Sequence, residues 1–297
     1  MKLVFLGTAS MVPTRERNHF SILARLEKEN ILIDCGEGTQ RQLRIANIAP
    51  PRITRVFITH WHGDHFFGLP GLIENLAKNQ YDKILHIYGP KGTKKNMERM
   101  LDSFFLRNKT RIKVEEINRD GVFLEEEEFT ASAAYLKHSV PCLGYSIKER
   151  DITKINLDFI KKHKIPKGPV LGDLQRGKDI IFEGKKIRAK DATYLKIGKK
   201  ATFLIDTSLC SNCYKLAKDS DLLVCDSTYS SGLKDKAKEY MHLISKEAAE
   251  IAKKSKSKKL ILTHFSQRYK EVLEMEKEAR EIFRNTAVSN DFSIFEA

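Results

Sequence analysis

Residues 59–65 read Thr-His-Trp-His-Gly-Asp-His, so three of the chain's nine histidines and one aspartate share seven positions. They follow the apolar run Val56-Phe57-Ile58, which reads as a buried strand ending at Thr59, and so occupy the loop leaving its C-terminal end. Strand ends in α/β sheets are where sites gather. A turn there directs His60 and His62 to one side and Asp64 and His65 to another. Neutral imidazole nitrogen and carboxylate oxygen both suit zinc. Four such donors exceed what one catalytic zinc takes from a single segment, and the surplus points to two metals. A merely hydrophilic loop explains one histidine but not four clustered donors in this context.

Outward from this stretch, short apolar strands alternate with helical patterns. Buried strands are expected at 2–6, 31–34, 55–59, 84–88, 202–206, 222–226 and 260–263. Segments 20–26, 111–117 and 142–148 alternate like half-buried antiparallel strands. Helices are expected at 68–78, 93–105, 245–255 and 269–283. This order argues for an α/β domain whose sheets are covered by helices. No repeat of fixed period and no low-complexity tract interrupts it.

With 297 residues, 41% of them apolar, the chain is long enough for one large domain or two small ones. The opening apolar run stops at Gly7 and Arg15-Glu16-Arg17 follows, so it reads as a first strand rather than a signal peptide. No run approaches the ~20 apolar residues that span a bilayer. Five widely spread cysteines do not suggest a disulfide framework, and a cytoplasmic location is expected. Cys210-x-x-Cys213 has no second such pair beside it and reads as structural.

Lys and Arg number 53 against 39 Asp and Glu, a formal charge of +14 that favours anionic partners. Residues 151–190 break the rhythm of the chain. Eleven Lys/Arg less five Asp/Glu give them +6, leaving +8 for the other 257 residues. This segment reads either as a basic insertion, a hairpin or small helical arm, or as a solvated linker.

The histidine stretch resembles the His-x-His-x-Asp-His hallmark of the metallo-β-lactamase-fold hydrolases. Within them the chain resembles the ribonuclease Z family over nearly its whole length. Phe5-Leu6-Gly7-Thr8-Ala9-Ser10, Asp34-Cys35-Gly36-Glu37-Gly38, Phe67-Gly68-Leu69-Pro70-Gly71 and Leu262-Thr263-His264-Phe265-Ser266 carry the resemblance, with the basic segment. It implies a four-layer αββα sandwich over residues 1–297, with 151–190 as an inserted, flexible, protruding tRNA-binding arm. It also implies two zinc ions. His60, His62 and His138 would hold one; Asp64, His65 and His264 the other; Asp206 would bridge them. Asp34 resembles the family's carboxylate that orients a ligating histidine from behind.

The same resemblance implies the chemistry. Two zinc ions about 3.5–4 Å apart activate water and steady an in-line displacement, which suits phosphodiesters, thioesters and lactams alike. The basic segment favours RNA. Lys161, Lys162, Lys164, Lys167, Gly168 and Pro169 resemble the arm that grips precursor tRNA through its backbone, without reading bases. Pro13-Thr14-Arg15-Glu16-Arg17-Asn18 resembles the Pro-x-Lys-x-Arg-Asn loop of relatives that cut after the discriminator nucleotide, which makes Arg15 and Arg17 candidate RNA contacts.

The implied activity is trimming of the 3′ trailer from precursor tRNA by a homodimer, one subunit's arm serving the other's site. Asp64 would handle the proton of the attacking water. His242 resembles the family's mobile proton donor, although Leu243-Ile244-Ser245 and Cys225-Asp226-Ser227-Thr228 depart from the usual pattern, the latter from His-Glu-Ala-Thr. His19, His86 and His163 match no motif. Two other readings compete: a phosphodiesterase of the same fold acting on small phosphodiesters or other RNAs, and a tRNA-binding module without catalysis.

Overall fold

The computed structural model describes residues 1–106 and 110–297. Two seven-stranded sheets dominate it. In the first, Lys2–Gly7 pairs antiparallel with Ser21–Arg25, which pairs antiparallel with Asn30–Ile33. Arg55–Phe57, Leu85–Pro90 and Ile112–Ile117 then add in parallel, and Ile294–Glu296 closes the other edge. In the second, Lys200–Leu204, Leu222–Asp226, Lys259–Thr263 and Thr286–Val288 run parallel. Cys142–Glu149 pairs antiparallel with the first of these and leads outward to Phe129–Leu136 and Gly121–Glu125.

Period-two alternation builds the layers. Leu3 and Phe5 face the core between the sheets, where they join Phe57, Tyr145, Phe203, Val224 and Ile261. Val4 and Leu6 point the other way, onto helices that include Leu69–Lys78 and Thr93–Ser103. Across the molecule, Leu223, Cys225, Leu260 and Leu262 pack beneath the helices Ser211–Ala217, Ser245–Lys254 and Leu273–Arg280. Helix, sheet, sheet, helix is the αββα sandwich of the metallo-β-lactamase fold.

Three strands differ from expectation. Ser21–Arg25 is antiparallel but buried on both faces, with Ile22 and Ala24 in the intersheet core and Leu23 beneath the helices. Ile112–Ile117 is parallel to its neighbour, not antiparallel. Cys142–Glu149 is buried through its first six residues, because Leu143, Tyr145 and Ile147 enter the intersheet core while Cys142 packs on the opposite face.

Residues 149–199 form a compact unit of their own. Ile152–Ile155 pairs with Thr193–Lys196, and Ile180–Phe182 forms a hairpin with Lys185–Ile187. Helices Leu157–Lys162 and Pro169–Gln175 complete it around Ile160, Ile165, Leu174, Ile180 and Ile187. The segment is therefore folded around apolar side chains rather than being a solvated linker. Its closing strand lies beyond residue 190, outside the span expected from charge. No helix among the described residues is long and apolar enough to cross a membrane.

Candidate metal centre and active site

Six strands deliver the candidate residues at or just past their C-terminal ends. Asp34 follows Asn30–Ile33, His60 follows Arg55–Phe57, and His138 follows Phe129–Leu136. Asp206 follows Lys200–Leu204, Asp226 ends Leu222–Asp226, and His264 follows Lys259–Thr263. The chain turns sharply there: Asp34, Asp206 and His264 adopt φ of 57°, 51° and 64°. Side chains are uncommon in that region, Asp and His less so, and such residues concentrate at functional sites. The stretch 60–65 is not all loop, since Gly63–Phe66 forms one helical turn that carries Asp64 and His65.

Glycines let this turn dock. A Cβ on Gly68 would lie 2.0 Å from the Gly36 carbonyl oxygen, and one on Gly36 would lie 2.4 Å from that of Asp64. The Asp34-Cys35-Gly36 and Phe67-Gly68-Leu69 motifs are thus two backbones in contact.

Three overlapping groups of donors result among the described residues, and Asp206 belongs to each: with His60, His62 and His138, with Asp64, His65 and His264, and with Asp226, His242 and His264. In the first, His62 Nδ1 lies 3.0 Å from His60 Nε2 and 3.3 Å from His138 Nε2. Asp206 Oδ2 is 3.4 Å from His60 Nε2 and 3.8 Å from His138 Nε2. In the second, His65 Nε2 is 3.2 Å from Asp64 Oδ2 and 3.4 Å from Asp206 Oδ2. His264 Nε2 is 2.9 Å from Asp206 Oδ1 and 3.8 Å from Asp64 Oδ2.

These spacings can be tested against a metal. A tetrahedral ion with ligands about 2.0–2.2 Å away sets its ligand atoms roughly 3.3–3.6 Å apart. The first two groups scatter around that range. Asp64 Oδ1, His65 Nε2, Asp206 Oδ1 and His264 Nε2 are also buried with no well-directed hydrogen-bond partner among the described residues. Buried polar atoms normally have partners, so four converging exceptions mark a cation site. The residues fit a pair of divalent metals.

The opposite edge of each ring is fixed. His65 Nδ1 lies 2.7 Å from Asp34 Oδ2, and Asp34 also accepts from the Thr59 backbone N–H and hydroxyl, each at 2.7 Å. His60 Nδ1 is 3.0 Å from Thr59 Oγ1, His264 Nδ1 is 3.0 Å from Thr228 Oγ1, and His138 Nδ1 is 3.4 Å from the Met241 carbonyl. With Nδ1 engaged, Nε2 of all four rings is turned into the centre.

Electrostatics sorts the histidines. Burial, reinforced by His65, holds His60 well below its usual pKa, and burial lowers His138 too, so both offer a neutral nitrogen. Burial opposes charge on His65 and His264 as well. There Asp64 and Asp206 win, raising His65 well above the usual value and His264 to about 10. Asp64 and Asp206 are correspondingly held low by these histidines against the effect of their own burial. The carboxylates draw positive charge into the cluster, as a cation site must.

The centre opens into a cleft of about 500 Å³, lined among others by His62, Asp64, His138, Asp206, His264 and His242. His242 Nδ1 lies 2.9 Å from Asp226 Oδ2 and 3.2 Å from Thr228 Oγ1. Burial opposes its charge, but Asp226 and then Asp206 raise its pKa overall. In the sequence Asp226 stands out only through the departure of Cys225-Asp226-Ser227-Thr228 from His-Glu-Ala-Thr. An acid ending the wholly apolar strand Leu222-Leu223-Val224-Cys225 was the signal available for it. Arg268, also missed, lines the cleft with its guanidinium over the Tyr229 ring.

A family model described as the metallo-beta-lactamase superfamily matches residues 14–149. The chain is 37% identical over 293 residues to ribonuclease Z of Protochlamydia amoebophila, covering 99% of this chain and 95% of that protein. It is likewise 37% identical over 297 residues to ribonuclease Z of Methanothermobacter thermautotrophicus, covering 100% and 96%. The chain belongs to the ribonuclease Z family. The crystal structure of human tRNase Z, short form, matches with a TM-score of 0.74 at 27% identity, covering 100% of this chain and 99% of that one.

Two residues expected from the ribonuclease Z loop at 13–18 part company. Arg15 is exposed. Arg17 is only 7% exposed. Its guanidinium donates to the Tyr269 carbonyl at 2.8 Å and sits over Phe265, so it braces the segment after His264 instead of facing an RNA. Lys161, Lys162, Lys164, Lys167, Gly168 and Pro169 are all exposed within the unit 149–199. His19 and His86 are engaged away from the cluster: His19 Nε2 meets the Met11 carbonyl at 3.1 Å, and His86 stacks on Tyr88. His163 is exposed and stacks on Phe159.

Proposed function

We propose that this protein is a zinc-dependent endoribonuclease that removes the 3′ trailer from precursor tRNA, leaving a tRNA 3′-hydroxyl and a 5′-phosphate on the trailer. The observation that carries the reading is Asp206, one carboxylate within 4 Å of four histidines in two donor groups. Family membership over the full length of the chain supports it, since the relatives are ribonucleases Z and the human structure is a tRNase Z.

In this reading His60, His62 and His138 hold one zinc, Asp64, His65 and His264 the other, and Asp206 bridges them. Bound there, the ions supply Lewis acidity toward the phosphate and lower the pKa of water. The protein's own groups do the rest. Asp34 and Thr59 keep His65 and His60 in the tautomer that presents Nε2. Asp64 has a buried Oδ1 without a partner and takes the proton of the attacking water. His242, kept protonated by Asp226, gives a proton to the departing ribose 3′-oxygen.

The lysines of residues 149–199, with Arg15, hold the tRNA backbone as a counter-charge surface. The working form is a homodimer in the cytoplasm, in which this unit of one subunit grips the tRNA cleaved by the other.

The test is cleavage of precursor tRNA beside a cyclic nucleotide, with the ends identified and the metal measured. About two zinc ions per chain and trailer release with the stated ends are expected. Preference for the cyclic nucleotide would move the substrate to small phosphodiesters, and zinc without any cleavage would leave a binding module.

A further inference from the structure

Cys210 and Cys213 carry chemistry that phosphodiester hydrolysis leaves unused. Cys210 lies four residues past Asp206 and its Sγ is 3.4 Å from that of Cys213. Cys210 is partly exposed and Cys213 is buried. Sulfurs at this separation close by only roughly 1.4 Å to reach the ~2.05 Å of a disulfide bond.

The two thiols are also unequal. The Cys213 thiol, backed by backbone hydrogen bonds from Cys213, Asn212 and Lys137, lowers Cys210 to about 5 against the effect of burial. Cys213 is pushed up in turn, first by that same hydrogen bond. Cys35, Cys142 and Cys225 are buried, and burial pushes their thiols up as well. A partly exposed thiol held low beside a buried one, with the two sulfurs in contact, is the arrangement that reacts with disulfides, and the other three cysteines are shielded.

The pair also touches the backbone of the metal centre. Lys137 precedes His138, and its carbonyl accepts from the Ser208 N–H at 2.8 Å while its own N–H donates to Thr207 Oγ1 at 3.2 Å. One short bridge between Lys137 and Ser208 therefore ties the chain end bearing His138 to the one bearing Asp206. The Cys210 sulfur shares the Lys137 backbone with that bridge.

We propose that Cys210 and Cys213 form a reversible thiol–disulfide switch that lowers the activity of the adjoining centre when a low-molecular-weight disulfide oxidises it. The Cys210 thiolate attacks one sulfur of the disulfide, forming a mixed disulfide and expelling a thiolate, which takes up a proton. Cys213 then gives up its proton and attacks the Cys210 sulfur. The Cys210–Cys213 bond forms as the second thiolate leaves and is protonated. The protein loses two electrons and the Cys213 proton, solvent supplies the second proton because Cys210 reacts as the thiolate, and the small disulfide leaves as two thiols. Closure draws the Cys210 sulfur toward Cys213 and removes its charge from Lys137, so the bridge behind His138 and Asp206 loosens.

The experiment treats the zinc-loaded protein with glutathione disulfide, then reads intact mass, free thiols, zinc content and cleavage of both precursor tRNA and a small chromogenic phosphodiester. Two of the five thiols should disappear with a mass loss of two hydrogens and no glutathione adduct. Cleavage should fall and return with dithiothreitol. Cys213→Ser should instead stall as a glutathione adduct, and Cys210→Ser, which lacks the attacking sulfur, should not react, so that glutathione disulfide leaves its cleavage rate where it was before treatment. Five thiols still titrating, or a disulfide that forms while cleavage and zinc content stay constant, would overturn the switch. Thiol count and mass do not depend on the substrate, so a failed tRNA assignment would be recognised separately.

Discussion

His65 and Asp34 meet at 2.7 Å on the side of the imidazole that faces away from the donor cluster, and both side chains are fully buried. Asp34 accepts at the same time from Thr59, the residue before His60, so one carboxylate aligns a histidine of each of the first two donor groups. Partners of this kind, removed, typically cost about 10–100-fold in metal affinity or activity. Asp34→Asn should lose zinc to a chelator at concentrations the wild type resists while keeping its native circular dichroism. Equal zinc retention by the variant would deny Asp34 its positioning role.

The reach of the sequence was uneven, for physical reasons. His60, His62, Asp64 and His65 share one stretch, and both sheets announced themselves through apolar strands such as Leu222–Asp226 and Lys259–Thr263. Phe129–Leu136 was legible only as a strand-like run ending at His138. Its Thr-Ala-Ser-Ala-Ala interior is too small and mixed to show an apolar period, though it packs well beneath large neighbours. The acid–base pairing of Asp226 with His242 spans sixteen positions and a helix, and local patterns carry no signal for it. Arg17 misled because a surface-like Pro-Thr-Arg-Glu-Arg turn conceals a guanidinium folded inward over Phe265.

The unit 149–199 can be removed cleanly. Lys148 and Lys200 are antiparallel partners in the second sheet, so a short turn joining them should leave that sheet intact. The shortened protein should cleave precursor tRNA far more slowly while hydrolysing a small chromogenic phosphodiester at the wild-type rate, because remote binding energy serves only the large substrate. Precursor tRNA affinity of the full chain should fall steeply with salt, and that slope should flatten in the shortened form. Equal loss on both substrates would make the unit part of the scaffold.

Asp291 gives stability a local pH dependence. Burial pushes its carboxyl up to about 6, although the Asn18 N–H, the Thr8 hydroxyl and Arg17 favour the charged form. A raised acid holds its proton longer in the native state than in the unfolded chain. Its contribution to stability is therefore complete below the ordinary carboxyl value of about 4 and is lost as pH rises through about 6, on the order of 2–3 kcal/mol in all. Asp291→Asn should flatten the urea midpoint across that window. An unchanged pH slope in the variant would assign the dependence elsewhere.

Departure of a ribose 3′-oxygen needs a proton, and His242 can give one only while it is charged. Burial works against that charge, and Asp226, 2.9 Å from its Nδ1, is the larger of the two carboxylates' effects that restore it. Asp226→Asn removes that support, so the pKa of His242 should fall. The alkaline limb of kcat, where the donor deprotonates, should then move to lower pH. His242→Ala should lower kcat far more than it weakens tRNA binding or zinc content, since a donor acts mainly in the transition state. Retention of the wild-type limb in Asp226→Asn would detach the pair from the chemistry. A 2′,3′-cyclic phosphate on the product would sink the whole scheme, because the ribose 2′-hydroxyl, not water, would then be the nucleophile.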